Sequence, residues 1–397
     1  MTEPEVLRLP AVRLPAESDL APLALASLRI TELKRLAEWG QGRAVIAQGE
    51  LNPADVEIGA KELEVSQAEL LVGWAVALDT ELLTLQGDKA VAGPALAALD
   101  QGSDQDKLDV WADLVDWDIE TAFPADEPSE ALPLLLMMLH LEPVVSFDDL
   151  VGTAMELDES GGEDAAESVS YLISRLLDLG AIVTDGELFQ STPLGQFGLS
   201  CWFGSVGIDA PVITDLADAG PVQVMEMAQV IEDDAEREEF VHEWIAAVGP
   251  ATAADELVTL AATGTPDDRS SAFAMLQRVG APAEDAVRAK LDDPSVRPHA
   301  INWLVEAGLS APELTPAESS WLFADMLVAV LGPDDESQRE AAAELGFEDP
   351  RSLDHIAGLA DTTHPAAADV LQALATHHPD PAVVKAARKA TMQSRSL

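Results

Sequence analysis

Cysteine and tyrosine each occur once in this chain of 397 residues, and lysine and arginine together only 22 times. A single cysteine excludes a disulfide framework and any zinc site built on clustered thiolates, and it fits a reducing compartment. Met1 to Leu20 carries acids and prolines where a secretory leader needs a basic start and an apolar run. The longest apolar stretch, Leu132 to Leu141, falls well short of the roughly 20 residues a helix needs to cross a bilayer. These absences predict a cytoplasmic protein with no membrane contact.

What is abundant is acid. There are 72 Asp and Glu residues, and the formal net charge is −50. The excess is concentrated: residues 51–250 hold 42 acids and 5 bases, while residues 1–50 hold 7 and 6. A field of that sign repels phosphate backbones, which disfavours nucleic acid as a partner. A basic protein, a cation, or a solvated coat suited to a salty cytoplasm agrees with it better. Only the ends escape the bias. Arg29, Lys34, Arg35 and Arg43 lie near the first helix, and Lys385, Arg388, Lys389 and Arg395 near the last. The C-terminal set is expected to complement the negative end of the final helix or to hold an acidic surface.

With 48% hydrophobic residues, the chain can fill the cores of two or three domains. A first helix from Thr31 carries Leu33, Leu36 and Ala37 and is expected to stop at a left-handed Gly40. Asn52-Pro53 starts a second, and the capping box Ser66-Gln67-Ala68-Glu69 a third. Leu82 to Leu85, a turn at Gln86-Gly87-Asp88, and Lys89 to Val91 then form a hairpin. The order returns after polar breaks at Pro124 to Glu130 and Asp158 to Asp164. A helix through Val169, Leu172, Ile173 and Leu176 ends at Gly180, a hairpin turns at Asp185-Gly186, and Thr192-Pro193 caps a further helix. Helices feeding a two-stranded wing match the layout of a winged-helix domain, present twice.

Past residue 210 the strand signals fade. The pattern Asp-Pro-x-Val-x-x-x-Ala occurs at Asp293 to Ala300 and at Asp380 to Ala387, with less regular copies opening at Pro266-Asp267-Asp268 and Pro333-Asp334-Asp335. This resembles the HEAT or armadillo-like helical repeat over roughly residues 210–393. The resemblance implies that Asp-Pro starts the second helix of a pair while Val and Ala fill the gap between layers. With Ser191-Thr192-Pro193-Leu194-Gly195 leading into a helix and Asp293 to Gly308 in the repeat region, the whole chain resembles a class of actinobacterial proteins in which winged-helix-like modules precede degenerate helical repeats. The predicted fold is thus mostly α: winged-helix-like modules at 1–103 and 104–208, followed by an α-solenoid of HEAT-like repeats at 209–397.

Chemistry-bearing patterns are sparse. Asp109, Asp113, Asp116 and Glu120 share one helical face, while Leu108, Trp111, Val115 and Ile119 line another. The acids could gather Ca²⁺ or Mg²⁺, yet oxygen-ligand sites usually wrap a loop around the ion and no EF-hand spacing is present, so a solvated face is expected. His355, His364, His377 and His378 cluster in sequence, but His242-Glu243-Trp244 stops short of His-Glu-x-x-His, and helix-end roles are expected. Cys201, among Ser200, Trp202 and Phe203, is expected in the core with a raised pKa. Gly204-Ser205-Val206-Gly207 misses the Gly-x-Ser-x-Gly elbow. Outward positions of the two candidate recognition helices, Ser170, Ser174, Arg175 and Asp178, and Gln67, Glu69 and Asp79, do not suit a DNA groove.

The expectation is a non-catalytic scaffold or regulator with no cofactor, no metal and no enzymatic machinery. It would hold a protein partner, a basic one suiting the charge, on its repeat surface or its acidic middle. Expected partner-surface residues are Asp109, Asp113, Asp116, Glu120, Arg297, Trp303, Lys385 and Lys389. A DNA-binding regulator and an acidic nucleic-acid mimic are the alternatives.

Overall fold

The structure is a computed structural model describing residues 7–46, 49–122, 131–142, 144–157, 162–186, 188–231, 233–331, 341–342, 345–347 and 352–394. It is mostly helical and divides into two units, Met1–Thr214 and Asp215–Leu397. The break expected at 124–130, residues 158–161 of the break expected at 158–164, the repeat start at Pro333, and Arg395 lie outside the described residues, while 162–164 already belong to a helix.

In the first unit, β1 (Val12–Arg13) precedes α1 (Glu17–Ala26), α2 (Leu28–Gly40), α3 (Pro53–Leu63), α4 (Gln67–Asp79), the hairpin β2–β3 (Leu83–Gln86 and Lys89–Ala92) and α5 (Pro94–Gln101). The local signals act as their chemistry requires. Asn52 caps α3 by accepting from the Ala54 N–H, and Ser66 and Glu69 close a capping box on α4. Helix α2 does stop at Gly40, but Gly40 is not in the left-handed region, where Gly42 sits instead (φ 79°). It is required by packing: a Cβ at Gly40 would lie 2.7 Å from the Trp74 ring.

The element order then recurs. Helix α6 (Asp104–Ala122) leads to α7 (Ala131–Leu141), β4 (Val145–Ser146), α8 (Phe147–Leu157), α9 (Gly162–Asp178), the hairpin β5–β6 (Ile182–Asp185 and Leu188–Ser191) and α10 (Pro193–Ser205). The three-stranded sheet has the order β4-β6-β5. In the earlier half, antiparallel bridging of Ala44 to Lys89 puts a short third partner beside that hairpin. Gly180 (φ 69°) terminates α9 as its position suggested, and Thr192 accepts from the Gly195 N–H to start α10.

A division at 103/104 falls between α5 and α6, but the apolar core runs continuously from Leu9 to Phe203. Helix α6 is its axis, packing on α1, α5, α9 and α10. Arg29 of α2 grips Asp118 of α6 with two hydrogen bonds, Nε at 3.1 Å and Nη2 at 2.8 Å, both side chains being buried. The chain then returns to its start: β7 (Val212–Ile213) pairs in parallel with β1.

The second unit consists of α11 (Pro221–Gln229), α12 (Asp234–Val248), α13 (Pro250–Thr263), α14 (Pro266–Val279), α15 (Glu284–Arg288), α16 (Arg297–Glu306), α17 (Pro316–Leu331), α18 (Ser352–Gly358), α19 (Ala367–His377) and α20 (Pro381–Ser394). Sequence neighbours pack on each other, α13 on α14, α14 on α16 and α17, α17 on α18 and α19, and α19 on α20. In both Asp-Pro patterns the carboxylate accepts a backbone N–H two residues on, from Ser295 at 3.1 Å and Ala382 at 2.7 Å. Val296, Ala300, Val383 and Ala387 are all buried. No single described helix is long and apolar enough to cross a membrane.

Candidate functional site

The acidic face predicted on α6 is one wall of a cleft of about 520 Å³ in the first unit. Burial of Leu108, Trp111, Val115 and Ile119 fixes the rotation of α6 and turns Asp113, Asp116 and Glu120 outward. The end of α4 and the following turn supply Asp79, Thr80 and Glu81, and α5 supplies Pro94, Ala95 and Ala98. Five carboxylates therefore converge, with no lysine or arginine among the lining residues. Trp117 completes the wall, its indole N–H directed at Asp79 Oδ2 at 3.4 Å.

This arrangement holds negative charge against resistance. Partial burial, then the neighbouring charges of Asp109, Asp116 and Glu81, push the Asp113 carboxyl above its ordinary pKa. Burial and Glu120 do the same to Asp116. Glu81 is also strained, with φ at 55° in the left-handed region that favours glycine. The conformation is enforced by close backbone packing: its carbonyl accepts from the Ala95 N–H, and a Cβ at Gly93 would lie 1.9 Å from that same oxygen. Such a cleft can attract and orient cationic groups, and Trp117 offers an aromatic surface beside the charge.

A second depression, of about 680 Å³, adjoins the cleft by sharing Asp79. It is lined by Ile46, Leu51, Val56, Leu71, Trp74 and Leu78 among others, with Glu50 and Gln67 at its margin. Sequence reasoning missed it, although the exposed Leu71 and Val72 interrupt the polar side of α4.

Compared with protein families, curated proteins and solved structures, the chain matches none. The reading of the site therefore rests on its own geometry.

The other expected residues fall in several places. Asp109 accepts from the Gln105 side chain at 2.6 Å and does not line the cleft. Arg297, Trp303, Lys385 and Lys389 belong to the second unit. Arg297 is engaged, bonding Glu318 and the Leu291 carbonyl, both at 2.7 Å. Trp303 is a correction: it is only 2% exposed, filling the core with Ala300, Ile301 and Leu304, and cannot be a partner surface. Lys385 and Lys389 are exposed on α20 beside Val384 and Met392, along a shallow depression of about 580 Å³. Arg388 reaches back to the Ala375 carbonyl at the end of α19 rather than to the end of its own helix.

The N-terminal cations are mostly consumed internally. Besides Arg29, Lys34 pairs with Asp100, Arg35 bonds the Leu63 carbonyl, and Arg43 pairs with Asp55 and covers the Trp39 ring. Arg175 on α9 is likewise tied to Asp178 at 3.5 Å and lies over Tyr171. Cys201 is a second correction, since it is exposed rather than in the core. Its helical neighbours Ser200 and Trp202 turn inward in its place. Partial cover of the thiol, with Asp109 and Asp113 nearby, still pushes its pKa up.

The histidines do not converge on a metal position, and no group of three or more ligands suited to one exists among the described residues. His378 accepts from the Asp380 N–H at Nδ1 and bonds the Leu345 carbonyl through Nε2. His364 and His299 instead meet a buried carboxylate that sequence reasoning did not single out, Asp325. Arg269 donates to it from Nε and Nη2 at 3.0 and 3.2 Å, and His299 and His364 approach through Nε2 at 2.7 and 2.6 Å. Burial alone would raise the Asp325 pKa, but the His299, His364 and Arg269 hydrogen bonds and the Arg269 charge hold it well below the usual carboxylate range. Nδ1 of His364 accepts from the Ala366 N–H, so its proton is carried on Nε2 toward Asp325. Arg269, His299 and His364 thus all converge on the Asp325 carboxylate, which suits a structural knot.

Proposed function

We propose that the protein is a non-catalytic interaction scaffold that holds a basic partner protein in the acidic cleft of its first unit. The observation that carries this reading is the convergence of Asp79 and Glu81, from the end of α4 and its turn, with Asp113, Asp116 and Glu120 of α6, with no cation lining the cleft. Carboxylates whose pKa values are pushed up are stabilised when a positive group arrives, so binding energy is available there. The recurring helix, short strand, two helices and hairpin supports two winged-helix-like modules used for protein contact. Their outward helices favour this use over DNA, because Arg175 is paired with Asp178 and α4 presents Glu69, Leu71 and Val72. In the second unit the two Asp-Pro patterns with buried Val and Ala support stacked helical repeats.

Titration with a short polylysine peptide tests the reading. Wild-type chain is expected to bind it, with an affinity that falls as salt rises, and Asp113→Asn combined with Asp116→Asn to weaken it about ten-fold. Unchanged affinity in that variant refutes the cleft as the site. Retardation of a DNA duplex at about 50 mM salt would favour the groove-reading alternative instead.

A further inference from the structure

The cleft does not stand alone: its Asp79 is also part of the apolar groove formed by α4, the start of α3, Ile46 and Gly49 to Leu51. Resting on the protein-binding reading above, we propose that the first unit seats an amphipathic helix of a partner protein. Its apolar stripe lies in the groove, and its flanking lysines or arginines lie in the acidic cleft.

The groove offers apolar surface independently of charge. Ile46 and Leu71 are 44% and 46% exposed, and they project over a floor that includes the buried Leu51, Val56 and Trp74. The floor is rigid. Trp74 is locked by its indole N–H to the Gly49 carbonyl at 2.9 Å, and Gly49, at φ 82°, sits so close to Leu85 and Leu78 that a Cβ would meet the Leu85 side chain at 2.9 Å. The capping box at Ser66 and Glu69 fixes the first turn of α4. A preformed apolar wall of this kind takes side chains from a partner with little loss of its own freedom.

The chemistry of the margins selects the occupant. Glu50, Asp79 and Gln67 are the charged or amide side chains around the groove, and the adjoining cleft adds four more acids, so the complementary ligand is apolar along one side and basic beyond it. A helix suits the groove better than an extended strand. None of its lining residues belongs to β2 or β3, so an extended peptide would find no ladder, whereas a helix satisfies its own backbone.

The test uses the full chain and two synthetic peptides of about 14 residues with identical Leu and Lys content, in the manner of helix-in-groove recognition. One carries Leu at i, i+3, i+4 and i+7, and the other has the same residues permuted so that the stripe is lost. The expected result is binding of the striped peptide at least ten-fold tighter than its permuted isomer. Leu71→Ser, at an exposed position, should abolish most of that difference while Leu71→Met preserves it. Equal binding of both peptides with no effect of Leu71→Ser overturns the groove proposal and leaves the acidic-cleft reading standing. No binding of either peptide overturns both. Concentration-dependent self-association of the chain that Leu71→Ser abolishes, without tight peptide binding, assigns the groove to a second copy and also overturns the proposal.

Discussion

His140 gives the first unit an acid sensitivity that can be worked out in advance. It is 3% exposed on α7, meets Phe203 edge-on at 5.5 Å, and neither ring nitrogen has a hydrogen-bond partner. Burial pushes its pKa down from 6.5 to about 4. The folded protein thus resists a proton that the unfolded chain accepts from pH 6.5 downward. Stability from this residue is complete above 6.5, is lost as pH falls through the interval to 4, and changes no further below. The gap corresponds to about 3 kcal/mol in full, most of which is lost by pH 4.5. His140→Leu keeps a similar volume and removes the titration. Urea unfolding of both proteins at pH 7.5 and 4.5 isolates the effect, because the many carboxylates titrate alike in each and cancel in the difference. The variant should gain about 2–3 kcal/mol over wild type between the two pH values. An unchanged difference would refute the reasoning, and with it the neutral, unpartnered state of His140.

Three further outcomes follow from the geometry. Asp325→Asn should destabilise the second unit by about 3–5 kcal/mol, since Arg269 is left buried without its counter-charge; a shift of under about 1 kcal/mol in denaturant unfolding followed by tryptophan emission would show that the knot is dispensable. Asp113→Asn with Asp116→Asn should stabilise the protein at pH 7 by roughly a few tenths of a kcal/mol, small because both groups are partly solvated. Because their folded pKa values are raised, that gain should vanish below about pH 4, where the wild-type carboxyls are also neutral; a gain that grows toward acid would contradict the assignment. Glu81→Gly should raise stability by about 1 kcal/mol by removing the left-handed strain while weakening polylysine binding, and Gly93→Ala should lose roughly 3 kcal/mol through collision with the Glu81 carbonyl. Thermal melts of the two variants shifting in the same direction would refute the account of that corner.

Features set by neighbours in sequence were legible in advance. Asn52, Ser66, Thr192 and Asp380 cap helices, and Asp293 closes the turn ahead of α16, because a side-chain oxygen needs to reach only two or three residues ahead. The acidic face of α6 was legible for the same reason, from spacings of three and four. Its opposite wall was not, since Asp79 and Glu81 arrive from the end of α4 and the turn after it. Nor were the buried pairs: Arg29 and Asp118 are 89 residues apart, and Arg269 and Asp325 are 56 apart. Each carried a faint signal. Asp325 stands alone in the apolar run from Trp321 to Leu331, and Asp118 follows Leu114 at one turn on the core side of α6. A lone acid in an apolar stripe is costly unless a cation meets it, and here one does. Trp303 and Cys201 went the other way because a helix turns about 100° per residue, so an apolar setting in sequence does not decide which side chain points inward.

The pairing of β1 with β7 has a practical consequence for protein engineering. Adjacent strands lie about 5 Å apart, so the polypeptide enters and leaves the first unit at nearly the same point. A module with neighbouring ends can be grafted into a surface loop of a host, or reconnected head to tail and reopened elsewhere, without stretching either terminus.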